Sequence, residues 1–129
     1  MKKRILIIDD DKDYAALLKI RLESLSGYEV AAFTEGRDII SRIHVFKPDV
    51  ILLDLLMPGI GGLDVCDMLD NDPIGLITPI IVVSGLDKDA DKLSAYKFGI
   101  TDYLVKPVDN AKLVGAIEKA IKSKSGNLD

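Results

Sequence analysis

Six polar residues stand directly after apolar runs in this sequence. Asp9, Asp10 and Asp11 follow Ile5-Leu6-Ile7-Ile8, Asp54 follows Val50-Ile51-Leu52-Leu53, Ser84 follows Ile80-Ile81-Val82-Val83, and Lys106 follows Tyr103-Leu104-Val105. Carboxylates gathered within a few ångströms repel one another and push their pKa values up unless a cation lies among them. A hard divalent ion such as Mg²⁺ suits oxygen donors of this kind and keeps several of its waters, so one or two direct carboxylates suffice. A hydroxyl and an ammonium added to that set fit a phosphoryl group held on a carboxylate, with metal and lysine sharing the charge of its oxygens. The carboxylate is then the nucleophile and the product is an aspartyl phosphate. Plainer roles exist for some of these residues. Asp10 or Asp11 can cap the helix that follows, and Lys106, followed by Pro107, can be a simple ion-pair partner. Asp54 has less of a plain role, because a carboxylate directly after four aliphatic residues sits at a costly place unless it is used.

For these residues to meet, the elements between them must bring the run ends together. The four apolar runs lack polar alternation, which is the habit of strands covered on both faces in a parallel sheet. A fifth run, 28–33, is less pure and suits a sheet edge. Helical spacing fills the intervals: Tyr14, Leu17, Leu18, Leu22 and Leu25 fall on one stripe and Ile39, Ile40, Ile43 and Phe46 on another. Further helices are expected at 63–69, with Val65, Met68 and Leu69 inward, at 90–98, and at 111–121, with Leu113, Val114, Ile117 and Ile121 inward. Ser26-Gly27, Lys47-Pro48, Thr78-Pro79 and Gly99 stand where helices must stop before the next strand. Five βα units with short connections give an α/β fold, an open parallel sheet with helices on both faces. Ligands of such sheets bind beyond the carboxyl ends of the strands, where the polar residues fall.

The length of 129 residues fits one domain. Its expected extent is 1–122, with a polar tail at 123–129 that reads as a fraying end or the start of a linker. Four Tyr, three Phe and no Trp leave an aliphatic core. Seventeen basic against 21 acidic residues give a net charge of −4 and a pI near 5.0, which argues against direct nucleic-acid binding by charge. One cysteine, Cys66, makes neither an intramolecular disulfide nor a zinc cluster, and it reads as a small core or boundary residue. With no secretory signal in view, a cytoplasmic location is expected. The apolar runs fall far short of the roughly 18 residues that span a bilayer, so no membrane association is expected. His44 has no second histidine to pair with and reads as a surface residue. Gly59, Gly61 and Gly62 serve a turn, since no Gly-Lys-Ser or Gly-Lys-Thr follows them.

At these residues the sequence resembles the receiver domains of bacterial response regulators of two-component systems, and it is similar to the chemotaxis response regulator. The likeness spans residues 5–121 and rests on four motifs in order. They are Ile5-Leu6-Ile7-Ile8-Asp9-Asp10-Asp11, residues 48–58 from Pro48-Asp49 to Met57-Pro58 followed by Gly62, residues 79–85, and Asp102-Tyr103-Leu104-Val105-Lys106-Pro107. The resemblance implies a flavodoxin-like (βα)5 three-layer sandwich with a five-stranded parallel sheet in the order 2-1-3-4-5. It implies that Asp54 is the phosphoacceptor. Mg²⁺ (or Mn²⁺) is implied at Asp10, Asp54 and the backbone carbonyl of Leu56, with Asp9 assisting largely through water. Ser84 would contact the phosphoryl group and Lys106 would pair with it. Tyr103 is the implied aromatic switch, changing rotamer as Ser84 moves, and the Lys106–Pro107 bond is implied to be cis. The implied donor is a sensor histidine kinase or a phosphotransfer protein. Output is implied through the face of the fourth helix, last strand and last helix, toward a downstream protein, a fused output domain or a second phosphorylated copy. Such a domain is a signalling module, not an enzyme, and catalyses only its own phosphorylation and dephosphorylation.

The sequence departs from the family pattern in three places. Gly61 stands where the family usually has Asp before the loop's final Gly, Ser84 replaces the commoner Thr, and Phe98 and Ile100 flank Gly99 where small residues are more usual. Three other readings compete. A Mg-dependent phosphatase of the haloacid dehalogenase type needs a second acid two residues after the nucleophile, where this sequence has Leu56. A flavin-binding module needs a loop after Ile8 rich in Ser, Thr and Gly, and the acidic loop here repels a flavin phosphate. A receiver kept only for binding is at odds with the intact set of Asp9, Asp10, Asp54, Ser84 and Lys106.

Overall fold

The computed structural model describes residues 2–124, and within them five strands and six helices follow one another along the chain. The order is β1 (Arg4–Ile8), α1 (Lys12–Ser26), β2 (Glu29–Phe33), α2 (Ile39–Phe46), β3 (Val50–Leu53), α3 (Gly62–Asp70), α4 (Pro73–Ile77), β4 (Ile80–Ser84), α5 (Asp89–Lys97), β5 (Asp102–Val105) and α6 (Asn110–Lys124). The strands form one sheet in the order β2-β1-β3-β4-β5, and every pair is parallel. β3 and β4 are buried along their whole length, and β1 is buried beyond Arg4, as unbroken aliphatic runs require. β2, with one buried residue, lies at an edge.

Alternate side chains of each strand feed two cores on opposite faces of the sheet. Ile5, Ile7, Val50 and Leu52 pack with Leu18 and Leu22 of α1 and Leu113 and Ile117 of α6. Leu6, Ile8, Ile51 and Leu53 pack with Ile39 and Ile43 of α2, Val65 and Leu69 of α3, and Ala95 of α5. Gly27 ends α1 in the left-handed region at φ 66°, which it reaches without a Cβ clash.

Three expectations need correction. Leu17 and Leu25 do not face the core: both are exposed, and Ala15, Leu18 and Leu22 form the inward face of α1. Leu17 stands about 100° round the helix from Leu18, and Leu25 falls in the final turn. The second correction is α4, a helix that five residues are too few to announce by periodicity. Asp72 caps it, its carboxylate accepting from the N–H groups of Ile74 and Gly75, both at 2.9 Å, and Pro73 opens the first turn. Thr78-Pro79 therefore ends α4, and the fourth and fifth expected helices are α5 and α6. Third, α6 continues through Lys124, past the boundary expected at 122. The rest of the expected tail, 125–129, lies outside the described residues.

Candidate functional site

The backbone ladder runs on past the strand ends and fixes what stands there. Asp9 N–H donates to the Phe33 carbonyl at 3.0 Å, Asp54 N–H to the Ile8 carbonyl at 2.9 Å, and Lys106 N–H to the Ser84 carbonyl at 2.8 Å. Four functional side chains are thus set at the carboxyl edge of four adjacent strands by sheet register alone. Asp9 and Asp54 are buried and Ser84 is wholly so, whereas Asp10 is open to water.

The three consecutive aspartates divide their work. Asp9 Oδ1 accepts the Asp11 N–H at 2.9 Å, and Asp9 Oδ2 accepts from Lys106 Nζ at 2.9 Å. Asp11 turns away and caps α1, accepting the Tyr14 N–H at 3.0 Å. Capping was one of the two roles open to it in the sequence, and it stays outside the acidic group. Ligand atoms of Asp9, Asp10 and Asp54 lie within 4.8 Å of one another. Asp54 Oδ1 accepts the N–H of Leu56 at 3.1 Å, and Asp54 Oδ2 accepts from Lys106 Nζ at 3.2 Å. One ammonium therefore bridges two buried carboxylates.

Burial pushes the Asp9 carboxyl up, and the Lys106 and Asp11 hydrogen bonds only partly oppose it. For Lys106, burial pulls the pKa down, but the Asp9 hydrogen bond and the Asp54 and Asp9 charges outweigh it, so the ammonium is held charged. Its Nζ also lies 4.4 Å from the centroid of the Tyr14 ring. Two buried carboxylates and an exposed one exceed the single ammonium in charge. That hard oxygen set, open to water through Asp10, fits a divalent cation that keeps part of its water shell.

Ser84 Oγ accepts the N–H of Leu86 at 3.2 Å, and the Tyr103 hydroxyl donates to the Leu86 carbonyl at 2.7 Å. Tyr103 is buried, which raises its phenol above the ordinary value. The structure thus brings Asp9, Asp10, Asp54 and Lys106 into one group, sets Leu56 against Asp54, and ties Ser84 to Tyr103 through Leu86. The Lys106–Pro107 bond is cis. Sequence reasoning missed the contact made by Tyr14 and the backbone role of Leu86. Tyr14 reads there only as part of a core stripe, although its place in the first turn after Asp11 is a signal that it overhangs the strand ends. Leu86 contributes through its backbone, which leaves no mark in residue type.

A parallel sheet ordered 2-1-3-4-5 whose carboxyl edge gathers carboxylates and a lysine, where a flavin protein would need phosphate-binding hydroxyls and glycines, is the arrangement that the resemblance to receiver domains implies. Comparison with known proteins gives the family: residues 5–118 match the response regulator receiver domain, and the chain belongs to that family. It is 34% identical over 125 residues to the alkaline phosphatase synthesis transcriptional regulatory protein PhoP of Bacillus subtilis, covering 97% of this chain and 50% of PhoP. It is 32% identical over 124 residues to the response regulator PleD of Caulobacter vibrioides, covering 96% of this chain and 27% of PleD. The BeF3-activated N-terminal receiver domain of Klebsiella pneumoniae RstA superimposes with a TM-score of 0.85 at 26% identity, over 93% of this chain and 99% of that one. The chain spans half or less of these two curated relatives. It is a receiver domain of two-component signalling, and the dehalogenase-type alternative falls with the family match and with Leu56 in place of the second acid. Among the described residues no helix is long and apolar enough to cross a membrane.

Proposed function

We propose that the domain takes one phosphoryl group onto Asp54 from the phosphohistidine of a sensor histidine kinase or phosphotransfer protein. The observation that carries this reading is the Lys106 ammonium bridging Asp54 and Asp9 at 3.2 and 2.9 Å. An Asp54 oxygen bonds to phosphorus as the P–N bond of the donor breaks, and the imidazole leaves with the bonding pair and takes up a proton. Asp10, Asp54 and the Leu56 carbonyl would hold Mg²⁺ or Mn²⁺, with Asp9 assisting through water, and the ion would supply charge stabilisation for the transferring oxygens. Lys106 follows the oxygens on which charge develops, and the Ser84 hydroxyl donates its O–H to a phosphoryl oxygen as it is drawn away from the Leu86 N–H it accepts. Loss of that contact moves Leu86 and with it Tyr103, which alters the surface made by α5, β5 and α6. That face carries the exposed apolar side chains Leu93, Tyr96 and Phe98. Its partner is a downstream protein, a fused output domain or a second phosphorylated copy. The reaction is the domain's own phosphorylation and dephosphorylation, in the cytoplasm, with no direct contact to nucleic acid or membrane.

Incubation with acetyl phosphate and Mg²⁺ should add one phosphate by intact mass, labile to hydroxylamine, and EDTA should prevent it. Undiminished labelling of Asp54→Ala would overturn the assignment.

A further inference from the structure

We infer that Tyr14 is a positioning residue for phosphoryl transfer, its ring face serving as the seat on which the Lys106 ammonium turns between carboxylate and phosphoryl oxygen. This rests on the function proposed above for Lys106. An ammonium has three N–H donors and no acceptor. Two partners are the buried carboxylates of Asp9 and Asp54, and the ring of Tyr14, 4.4 Å from Nζ to centroid, covers the head from another side. That distance is within the roughly 6 Å over which a ring quadrupole attracts a cation. The Lys106 side chain is only 21% exposed, so the attraction acts where water screens it little.

The seat is itself held in place. Tyr14 is half-buried against the core shared by α1, β1 and α6. Its N–H is fixed by Asp11, whose own N–H donates to Asp9. A closed circuit of contacts therefore runs from Asp9 through Asp11, Tyr14 and Lys106 back to Asp9. A lysine head on a flexible four-carbon stem otherwise prefers water, and a third carboxylate in this place would compete with the phosphoryl group for it. A ring face does neither. It attracts the charge without fixing the direction of any one N–H, so the ammonium keeps its place while its hydrogen bonds change partner.

The test separates a seat from mere packing by exchanging the ring for apolar side chains without one. Phosphorylation by acetyl phosphate with Mg²⁺ is followed at varied donor concentration for the wild type, Tyr14→Phe, Tyr14→Leu and Tyr14→Met. Tyr14→Phe keeps the ring and should react within about twofold of the wild type. Tyr14→Leu and Tyr14→Met should lose about fivefold in maximal rate, which corresponds to about 1 kcal/mol, with donor saturation little changed. In parallel, the Lys106 ε-methylene protons should show an upfield ring-current shift by NMR in the wild type and Tyr14→Phe, absent in the other two. Ring-free variants that react at the wild-type rate overturn the inference, and so does a Tyr14→Phe variant as slow as Tyr14→Leu. A wild type that takes no phosphate on Asp54 overturns the function proposed for the site instead. The NMR measurement then still decides the seat, and absence of the ring-current shift refutes it.

Discussion

The Tyr103 hydroxyl donates to the backbone carbonyl of Leu86 at 2.7 Å, while the N–H of that same residue donates to Ser84 Oγ. Both polar backbone groups of one loop residue are thus held by the two side chains assigned to the switch. A hydroxyl drawn from Leu86 toward Asp54 frees one end of this bracket, and a small displacement at the site is passed to an aromatic ring on the edge strand β5. The bracket is a discrete arrangement that is either made or broken, as a switch requires.

Tyr103→Phe should lose about 1 kcal/mol, the usual worth of one such bond, and melt about 4 °C lower for a domain of this size. The wild type with beryllofluoride and Mg²⁺ should shift NMR signals across 89–121 more than those of α2. Tyr103→Phe should already show part of that shift without beryllofluoride. Changes confined to the loops at Asp10, Asp54 and Ser84 would show that the bracket transmits nothing.

The lifetime of the phosphorylated state should depend on Leu56 and Leu86, whose backbone N–H groups donate to Asp54 Oδ1 and Ser84 Oγ. Leu56 is 54% exposed beside Asp54, and neither leucine offers a donor or acceptor to orient an attacking water. Replacing both, as Leu56→Asn with Leu86→Glu, should shorten the half-life about tenfold, or about 1.4 kcal/mol of barrier. Decay followed after removal of the donor checks this, and equal half-lives would mean that the leucines do not control the water.

The legible and illegible parts of this molecule differ for physical reasons. Ile5 to Ile8 and Val50 to Leu53 announce buried parallel strands because two faces must be covered, and the residue after each run lands at the carboxyl edge whatever the helices do. Asp9, Asp54, Ser84 and Lys106 are therefore readable as neighbours at one sheet edge. The Tyr14–Lys106 contact joins residues 92 positions apart through a helix orientation that no local pattern encodes. Leu86 acts through backbone groups that every residue possesses. α4 was hidden by its length, although Asp72-Pro73 is a cap followed by the residue best suited to the first turn.

That cap yields a pH prediction. The Asp72 carboxyl is held below its ordinary value of 3.8, first by the Gly75 N–H and then by His44, whose Nε2 lies 2.8 Å away. A depressed carboxyl binds fewer protons folded than unfolded, so its contribution is complete above 3.8 and is lost as pH falls below it. Melting temperature measured from pH 6 to pH 2.5 should fall less steeply at the acid end for Asp72→Asn than for the wild type. Parallel curves would show that α4 is not held by this carboxylate.

Gly62 gives the sharpest test of how the fold positions Asp54. It opens α3, and its N–H donates to the Leu55 carbonyl at 3.2 Å. A Cβ there would lie 2.6 Å from both the Asp54 carbonyl oxygen and Leu55 Cα, closer than such atoms can approach. Gly61, one residue earlier, is different: a Cβ would meet only Asp64 Oδ2 at 3.6 Å, and its φ of −73° suits any residue. Helix propensity alone favours Ala over Gly by about 1 kcal/mol, so a stabilised Gly62→Ala would mean that the close approach is unimportant. The expected result is the reverse, a loss of about 2 kcal/mol as the β3–α3 backbone is forced apart. Uptake of phosphate from acetyl phosphate should fall with it, because Asp54 moves relative to Lys106. Gly61→Ser should instead gain a few tenths of a kcal/mol by adding a cap to α3, roughly the difference between Gly and Ser at that position, and should take up phosphate normally. Thermal melts and phosphorylation rates of the two variants, measured together, decide whether the glycine is required by the strand end that carries Asp54.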